Sequence, residues 1–196
     1  SIGYGIQFSN LISKNLVNLN LGWYGIIGFF VISFISVLTS FFVSHNFLHN
    51  FILHIIGLIF FCYTLWKNKN YYYEYKILIY LSLLLMIAAF VFKNHDDFSY
   101  YHLTYALNLS ENSFIVGTGN FSHGFRTFSS LFYYHSTLFF PFIDYHLFHI
   151  GPFYILVFFN FIIIKKLLDD LKSNNHDITF YFSLLSLIFV NVVFYR

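Results

Sequence analysis

From Trp23 to Val43 the chain runs without a charged side chain, and after Ser44-His45-Asn46 a second apolar run continues from Phe47 to Trp66. Each run matches the ~20 residues that an α-helix needs to cross the hydrocarbon layer of a bilayer. Inside lipid every backbone polar group must be satisfied internally, which leaves the helix as the structure open to runs of this length. The fold class follows: all-α, a polytopic transmembrane helical bundle. Composition agrees, with 58% hydrophobic, 25% aromatic and only 9% charged residues against about a quarter charged in soluble domains. The lipid bilayer is therefore the first expected partner. A single cysteine, Cys62, lies inside an apolar run and excludes a disulfide framework or a cysteine-rich metal site. The net charge of +2 gives no ground for a nucleic-acid partner.

Three further apolar runs give about five spans, near 23–43, 47–66, 77–92, 147–164 and 178–195, in one transmembrane domain over 1–196. Residues 1–22 are mixed and read as an interfacial or partly helical approach, without the pattern of a signal peptide. A chain that opens on Ser1 and stops at Arg196 as its last run ends reads as a piece of a longer multi-pass protein. Lys67 to Lys76 is a basic loop merging into a tyrosine belt suited to a membrane interface. If the loops 67–76 and 165–177 share a side with the N-terminal segment, that side holds Lys14, Lys67, Lys69, Lys76, Lys165, Lys166 and Lys172. The other side holds Lys93, Arg126 and Arg196. Basic excess marks the cytoplasmic face, so the interval 93–141 is expected on the periplasmic side of an inner (plasma) membrane, away from ATP. His49, Asn50 and His54 could form a polar seam toward a bundle cavity, since ionisable groups in spans usually face protein or water, or sit among headgroups at the start of their helix.

The interval 93–141 concentrates what chemistry the chain carries. It opens Lys93-Asn94-His95-Asp96-Asp97-Phe98-Ser99-Tyr100-Tyr101-His102 and holds four of the ten histidines, His95, His102, His123 and His135. Asp96 or Asp97 reads as the N-cap of a helix whose stripe Phe98, Tyr101, Tyr105 and Leu109 suits a surface-lying amphipathic segment. A capping aspartate and a catalytic one look alike in sequence. Two adjacent acids flanked by His95 and His102 make Asp96, Asp97, His95 and His102 the candidate catalytic set. One acid could act as general base, its pKa raised by its like-charged neighbour, or Asp96 and Asp97 could hold Mg²⁺ or Mn²⁺, which prefer oxygen ligands. Gly117-Thr118-Gly119-Asn120 leads to Gly124-Phe125-Arg126, which is neither a Walker loop nor a dinucleotide fingerprint. Arg126, whose fork of donors suits phosphate or carboxylate, and Lys93 are the candidate phosphate-binding cations; an arginine snorkelling to headgroups is the alternative. Thr127 or Ser129 is placed to cap the helix that follows.

His95-Asp96-Asp97-Phe98-x-Tyr100-Tyr101-His102-Leu103, with Gly117-x-Gly119-Asn120 and Gly124-Phe125-Arg126-Thr127-x-Ser129-Ser130-Leu131-Phe132-Tyr133, resembles bacterial multi-pass proteins related to the GT-C type membrane glycosyltransferases. The resemblance covers residues 88–164, and the N-terminal spans only loosely. It implies a larger GT-C-like fold and an enzyme that takes a sugar from a polyprenyl-phosphate carrier at the outer membrane surface. The catalytic acid it implies, at the start of the first large external loop, is Asp96 or Asp97. The chain departs from that pattern in carrying three apolar runs, rather than one, before the acidic pair.

Two other readings compete. A histidine-based desaturase or hydroxylase needs several clustered imidazole ligands, and His45/His49 with His146/His149 supply too few boxes. The other is non-enzymatic, a transporter segment or a structural subunit whose polar interval is merely an external loop; a transporter would keep its critical ionisable groups within the spans near the midplane. Asn108-Leu109-Ser110 and Asn120-Phe121-Ser122 match the glycosylation acceptor pattern, which carries no meaning in a bacterial chain.

Overall fold

The computed structural model describes residues 1–12, 19–89, 97–120, 123–148, 150–174 and 176–194. Lys93, His95 and Asp96 of the candidate site therefore lie outside the described residues. Among the described residues eight α-helices follow one another: α1 (Ile2–Ile12), α2 (Leu21–Ser40), α3 (Phe47–Lys67), α4 (Asn70–Ala89), α5 (Leu103–Glu111), α6 (Ser130–Ser136), α7 (Ile150–Lys172) and α8 (Ile178–Phe194). Among the described residues the only β pairing is a single bridge between Phe140 and Asp144.

Among the described residues three segments are long and apolar enough to cross a membrane: Leu21–Ser40, Phe47–Lys67 and Tyr145–Lys172. The apolar part of α8, Ile178–Val192, is shorter. The helix α4 starts at Asn70, so the Tyr71-Tyr72-Tyr73-Glu74 belt is its first turn rather than a loop before it. Helix starts follow their caps. Asn20 accepts from Trp23 N at 3.2 Å, Asn46 from His49 N at 3.1 Å, and Asp177 from Thr179 N at 2.9 Å.

Residues 2–12 of the mixed N-terminal stretch are helical, and Gly3 to Ile6 and Ser9 of this first helix are buried while Phe8, Leu11 and Ile12 are exposed. The helix runs antiparallel to α2, with Gly5 set against Tyr24 and Gly28, and it also touches α3. A Cβ on Gly5 would come within 1.9 Å of the Tyr24 carbonyl oxygen. Only glycine allows backbones this close, as in the small-residue contacts of membrane helices. Ile6, Tyr24, Leu78, Val157, Phe158 and Phe161 then join α1, α2, α4 and α7 in one core.

At one end of the bundle Glu74 ties three helices together. Its carboxylate accepts from Leu21 N at 2.9 Å, capping α2, and pairs with Lys165 of α7. The loop regions around Lys67–Lys76 and Lys165–Lys172 thus share an end with the start of α2.

At the opposite end residues 97–148 fold into a cap. Tyr105 and Leu109 of α5 and Phe132 and Tyr133 of α6 form its own small core. Phe29 and Ile32 of α2, Leu53 of α3 and Tyr134, Leu138 and Phe148 form the core that seats it on the bundle. Two backbone hydrogen bonds close the seam, His45 N to Leu109 O at 2.8 Å and Phe114 N to Ser40 O at 2.7 Å. The stripe read as lying on the membrane surface therefore packs on α6, because Tyr105 and Leu109 find a protein face there.

Candidate functional site

The cap carries the described members of the sequence-derived site. Asp97 begins a π-helical turn, Phe98–His102, that leads into α5. It stands at the N-cap position, yet its carboxylate makes no capping hydrogen bond. It lies 3.5 Å from the hydroxyl of Tyr101 instead, one turn on. His102, half-buried, sets its ring against the edge of Tyr101 and over Phe132, at centroid distances of 4.4 and 4.8 Å.

Arg126 ends a 3₁₀ turn, His123–Arg126, that packs on the turn following Asp97. The contact is tight: a Cβ on Gly124 would fall 2.4 Å from the Cβ of Tyr101. The exposed Arg126 donates its Nε–H to Gly119 O at 2.9 Å, which holds the stem of the side chain. Gly119 thus anchors the arginine rather than shaping a phosphate loop. Ser129, not Thr127, is the cap of α6, accepting from Leu131 N at 3.3 Å. Among the described residues no three His, Cys, Asp or Glu side chains converge as a metal set.

A second polar group, larger and better buried, sits where the cap meets the bundle. Asn50 and His45 are both 0% exposed. The Asn50 amide nitrogen donates to three carbonyl oxygens, His45 at 2.8 Å, Ser136 at 2.9 Å and Phe139 at 3.0 Å. Its oxygen faces His49 Nδ1 at 3.0 Å. His49 Nε2 lies 3.0 Å from the Thr39 hydroxyl, and the same hydroxyl lies 3.3 Å from His45 Nε2. His45 Nδ1 meets Ser136 Oγ at 2.5 Å. The two imidazoles stack at 4.6 Å, 12° from parallel. Burial pulls the His45 pKa down to about 4, helped by the neighbouring His49 and opposed by a hydrogen bond to the Ser36 carbonyl. One turn further, His54 bonds Thr137 O at 2.9 Å.

The residues His49, Asn50 and His54 thus sit at the start of their helix and face protein. The partners that make this a site, Ser136 and Thr137, lie more than eighty positions away in sequence, and no pattern in the chain announces them. The one available signal was the density of His and Asn at the head of an apolar run.

Below the knot a cavity of about 400 Å³ opens between the helices, lined among others by Tyr4, His54, Tyr134, Leu138, Phe140 and Tyr154. Burial raises the Tyr134 pKa, and burial together with the hydrogen bond to Tyr105 raises that of Tyr133. Both phenols stay neutral and act as hydrogen-bonding groups only. No protein-family model matches this chain, and no curated protein and no solved structure matches it either.

Proposed function

We propose that the chain forms part of a GT-C-like integral membrane glycosyltransferase with five spans. In this reading it transfers a sugar from a polyprenyl-phosphate carrier to an acceptor hydroxyl on the extracytoplasmic side of the inner membrane. The observation that carries the reading is the packing of the turn that begins at Asp97 on the turn that ends at Arg126, within a cap seated on the end of the bundle away from the lysines. The packing of the two turns brings Asp97, near the Tyr101 hydroxyl, and the exposed Arg126 to one region at the border of the spans. Such a border suits a substrate with an apolar tail and a charged head.

The orientation follows from charge. Lys67, Lys69, Lys76, Lys165, Lys166 and Lys172 belong to the end marked by Glu74, which is cytoplasmic by the positive-inside rule. Asp97, with Asp96 beside it in sequence, takes the proton of the acceptor hydroxyl as its oxygen attacks the anomeric carbon. The bond from that carbon to the carrier phosphate oxygen breaks, and the polyprenyl phosphate leaves with the electron pair. Arg126 neutralises the departing phosphate, with Lys93 as a further candidate. The apolar cavity under the cap suits the carrier's isoprenoid tail. A hard cation at Asp96 and Asp97 is not needed for this sequence of steps.

The test is sugar transfer in membranes from the full-length protein carrying Asp96→Asn, Asp97→Asn or Arg126→Gln. Loss of the general base should lower turnover by roughly 10²–10⁴-fold, and loss of the arginine should weaken carrier use. Normal turnover by both aspartate variants at normal expression would overturn the assignment.

A second reading, a transporter segment, is favoured by one observation. Asn160 and Asn191 exchange amide hydrogen bonds at 2.6 and 3.3 Å between α7 and α8, and polar pairs inside spans also occur along permeation routes. In that case the aspartate variants would leave sugar transfer absent in wild type and variants alike.

A further inference from the structure

We infer that His45, Thr39 and His49 form a proton-operated latch that fastens the cap to the membrane helices while both imidazoles are neutral and releases it in acid. The inference does not depend on the sugar-transfer reading.

The hydrogen positions can be worked out from the donors and acceptors alone. Three carbonyl oxygens surround one end of the Asn50 amide, so that end is the nitrogen. The amide oxygen then faces His49 Nδ1, which must carry a hydrogen. A neutral His49 has a bare Nε2, and the Thr39 hydroxyl is its donor at 3.0 Å. Of the three acceptors around the single Thr39 hydrogen, His49 Nε2 at 3.0 Å is nearer than the Ser36 carbonyl and His45 Nε2, both at 3.3 Å, so the hydrogen goes to His49 and the Thr39 oxygen accepts from His45 Nε2. His45 Nδ1 is therefore bare and accepts from the Ser136 hydroxyl. One chain results, donating in one direction from Ser136 through His45, Thr39 and His49 to Asn50. It runs from α6 of the cap, across the end of α2, to the head of α3.

Adding one proton breaks none of these bonds. It would enter at His45 Nδ1, and the Ser136 hydroxyl would turn to the Tyr133 carbonyl, 2.8 Å away. The cost is electrostatic. The new charge is buried and stacked on a second imidazole. Among the described residues neither ring has a carboxylate partner. The titratable groups on the elements packed around the pair are His54 from α3, Tyr133, Tyr134 and His135 from α6, and Tyr105 with the exposed Glu111 from α5. None of these is an anion positioned to pair with it. A buried unpaired charge is strongly unfavourable, whereas the released cap exposes both rings to water, where a histidine titrates near its ordinary value. Protons therefore bind the released form better, and acid shifts the equilibrium toward it. With His45 near 4 when docked and about 6.5 when free, the docking equilibrium changes roughly thirtyfold between pH 7.5 and pH 5.

The experiment uses the whole chain in lipid nanodiscs, with Cys62→Ser and spin labels at Phe42→Cys and Val116→Cys, both highly exposed positions on either side of the seam. Dipolar spectra of samples frozen at pH 7.5 and pH 5.0 should show one short separation at the higher pH. A longer component should appear at the lower pH and vanish in the His45→Gln/His49→Gln variant. An unchanged wild-type spectrum, or equal widening in the double variant, would overturn the latch. Should the double variant not insert, ¹⁵N spectra of histidine-labelled wild type, assigned through His49→Gln, carry the test. They must give the Nε2–H form for His45 and the Nδ1–H form for His49 at pH 7.5, and any other pairing refutes the chain.

Discussion

Asn50→Leu isolates the knot with little change of volume. The wild-type amide serves three carbonyl oxygens with two hydrogens and accepts from His49 Nδ1, all in a site with 0% exposure. Leucine can replace none of these bonds, so two carbonyl equivalents and one N–H are stranded. At about 1–3 kcal/mol for each of the three stranded buried groups, and allowing about 1 kcal/mol back for added apolar burial, the loss is about 2–8 kcal/mol. For a chain of this length that lowers the melting temperature by roughly 4–32 °C. The damage should be local, since the stranded carbonyls of Ser136 and Phe139 belong to the cap. Purified protein in detergent would be followed by size-exclusion after heating, and by chymotryptic cleavage after Phe114, whose amide is tied to Ser40 in the docked state. Asn50→Asp, which keeps the shape but points an anion at three carbonyls, should be at least as severe at pH 7. A leucine variant that melts within about 2 °C of wild type, with Phe114 still protected, would refute the hydrogen-bond accounting.

The His45 pKa of about 4 gives stability a defined pH dependence. The unfolded chain binds the proton more tightly, so this contribution is complete above about pH 6.5 and is lost as pH falls toward 4. Its size is about 3 kcal/mol, and a melting temperature that stays flat from pH 7 to 4.5 would contradict it. Gly5→Ala places a Cβ 1.9 Å from the Tyr24 carbonyl oxygen and 2.9 Å from Gly28 N, both rigid backbone. Despite the better helix propensity of alanine it should cost about 1–3 kcal/mol, read as a lower melting temperature in detergent. Asn191→Leu removes the amide pair with Asn160 and should cost about 0.6–2 kcal/mol, seen as earlier proteolysis of α8 with the cap unaffected.

How much of this could be read from the chain depends on how local each cause is. The third helix is legible to within a residue, because Asn46 caps it and the apolar run is unbroken. The start of the eighth is legible for the same reason, since the cap Asp177 stands next to its first residue. The first helix is not. Gly3 and Gly5 lower its intrinsic propensity, and what stabilises it is contact with Tyr24, Gly28 and Gly57, which are far away in sequence. The belt at Tyr71–Tyr75 was read as loop because it is polar, although polar residues continue a helix readily at a membrane interface. The Asp97 turn was expected as a capped helix start, but it opens as a wide π turn whose acid does not cap. Of the candidate site, sequence identified residue types and the neighbourhood 97–126. The seam of Asn50, His45 and Ser136 needed tertiary structure, because each partner is unremarkable where it stands.

The two ends of the bundle are held by different chemistry, and this separates what each can do. At the Glu74 end a carboxylate joins Leu21 N and Lys165, and Lys166 bonds Asp170 at 2.6 Å on the next turn. Ion pairs of carboxylate and ammonium keep both charges across the range in which a histidine titrates, so this end stays fastened from neutral pH into mild acid. At the cap end the fastening is a chain of neutral donors and acceptors that includes two imidazoles, and burial there pulls the His45 pKa down to about 4 while the cap is docked. The latch inferred above would place the releasable seam on the face that carries Asp97 and Arg126. In the proposed sugar-transfer reading, a carrier that enters sideways from lipid would need one end firm and the other able to open, and the different chemistry of the two ends is the asymmetry such entry would use.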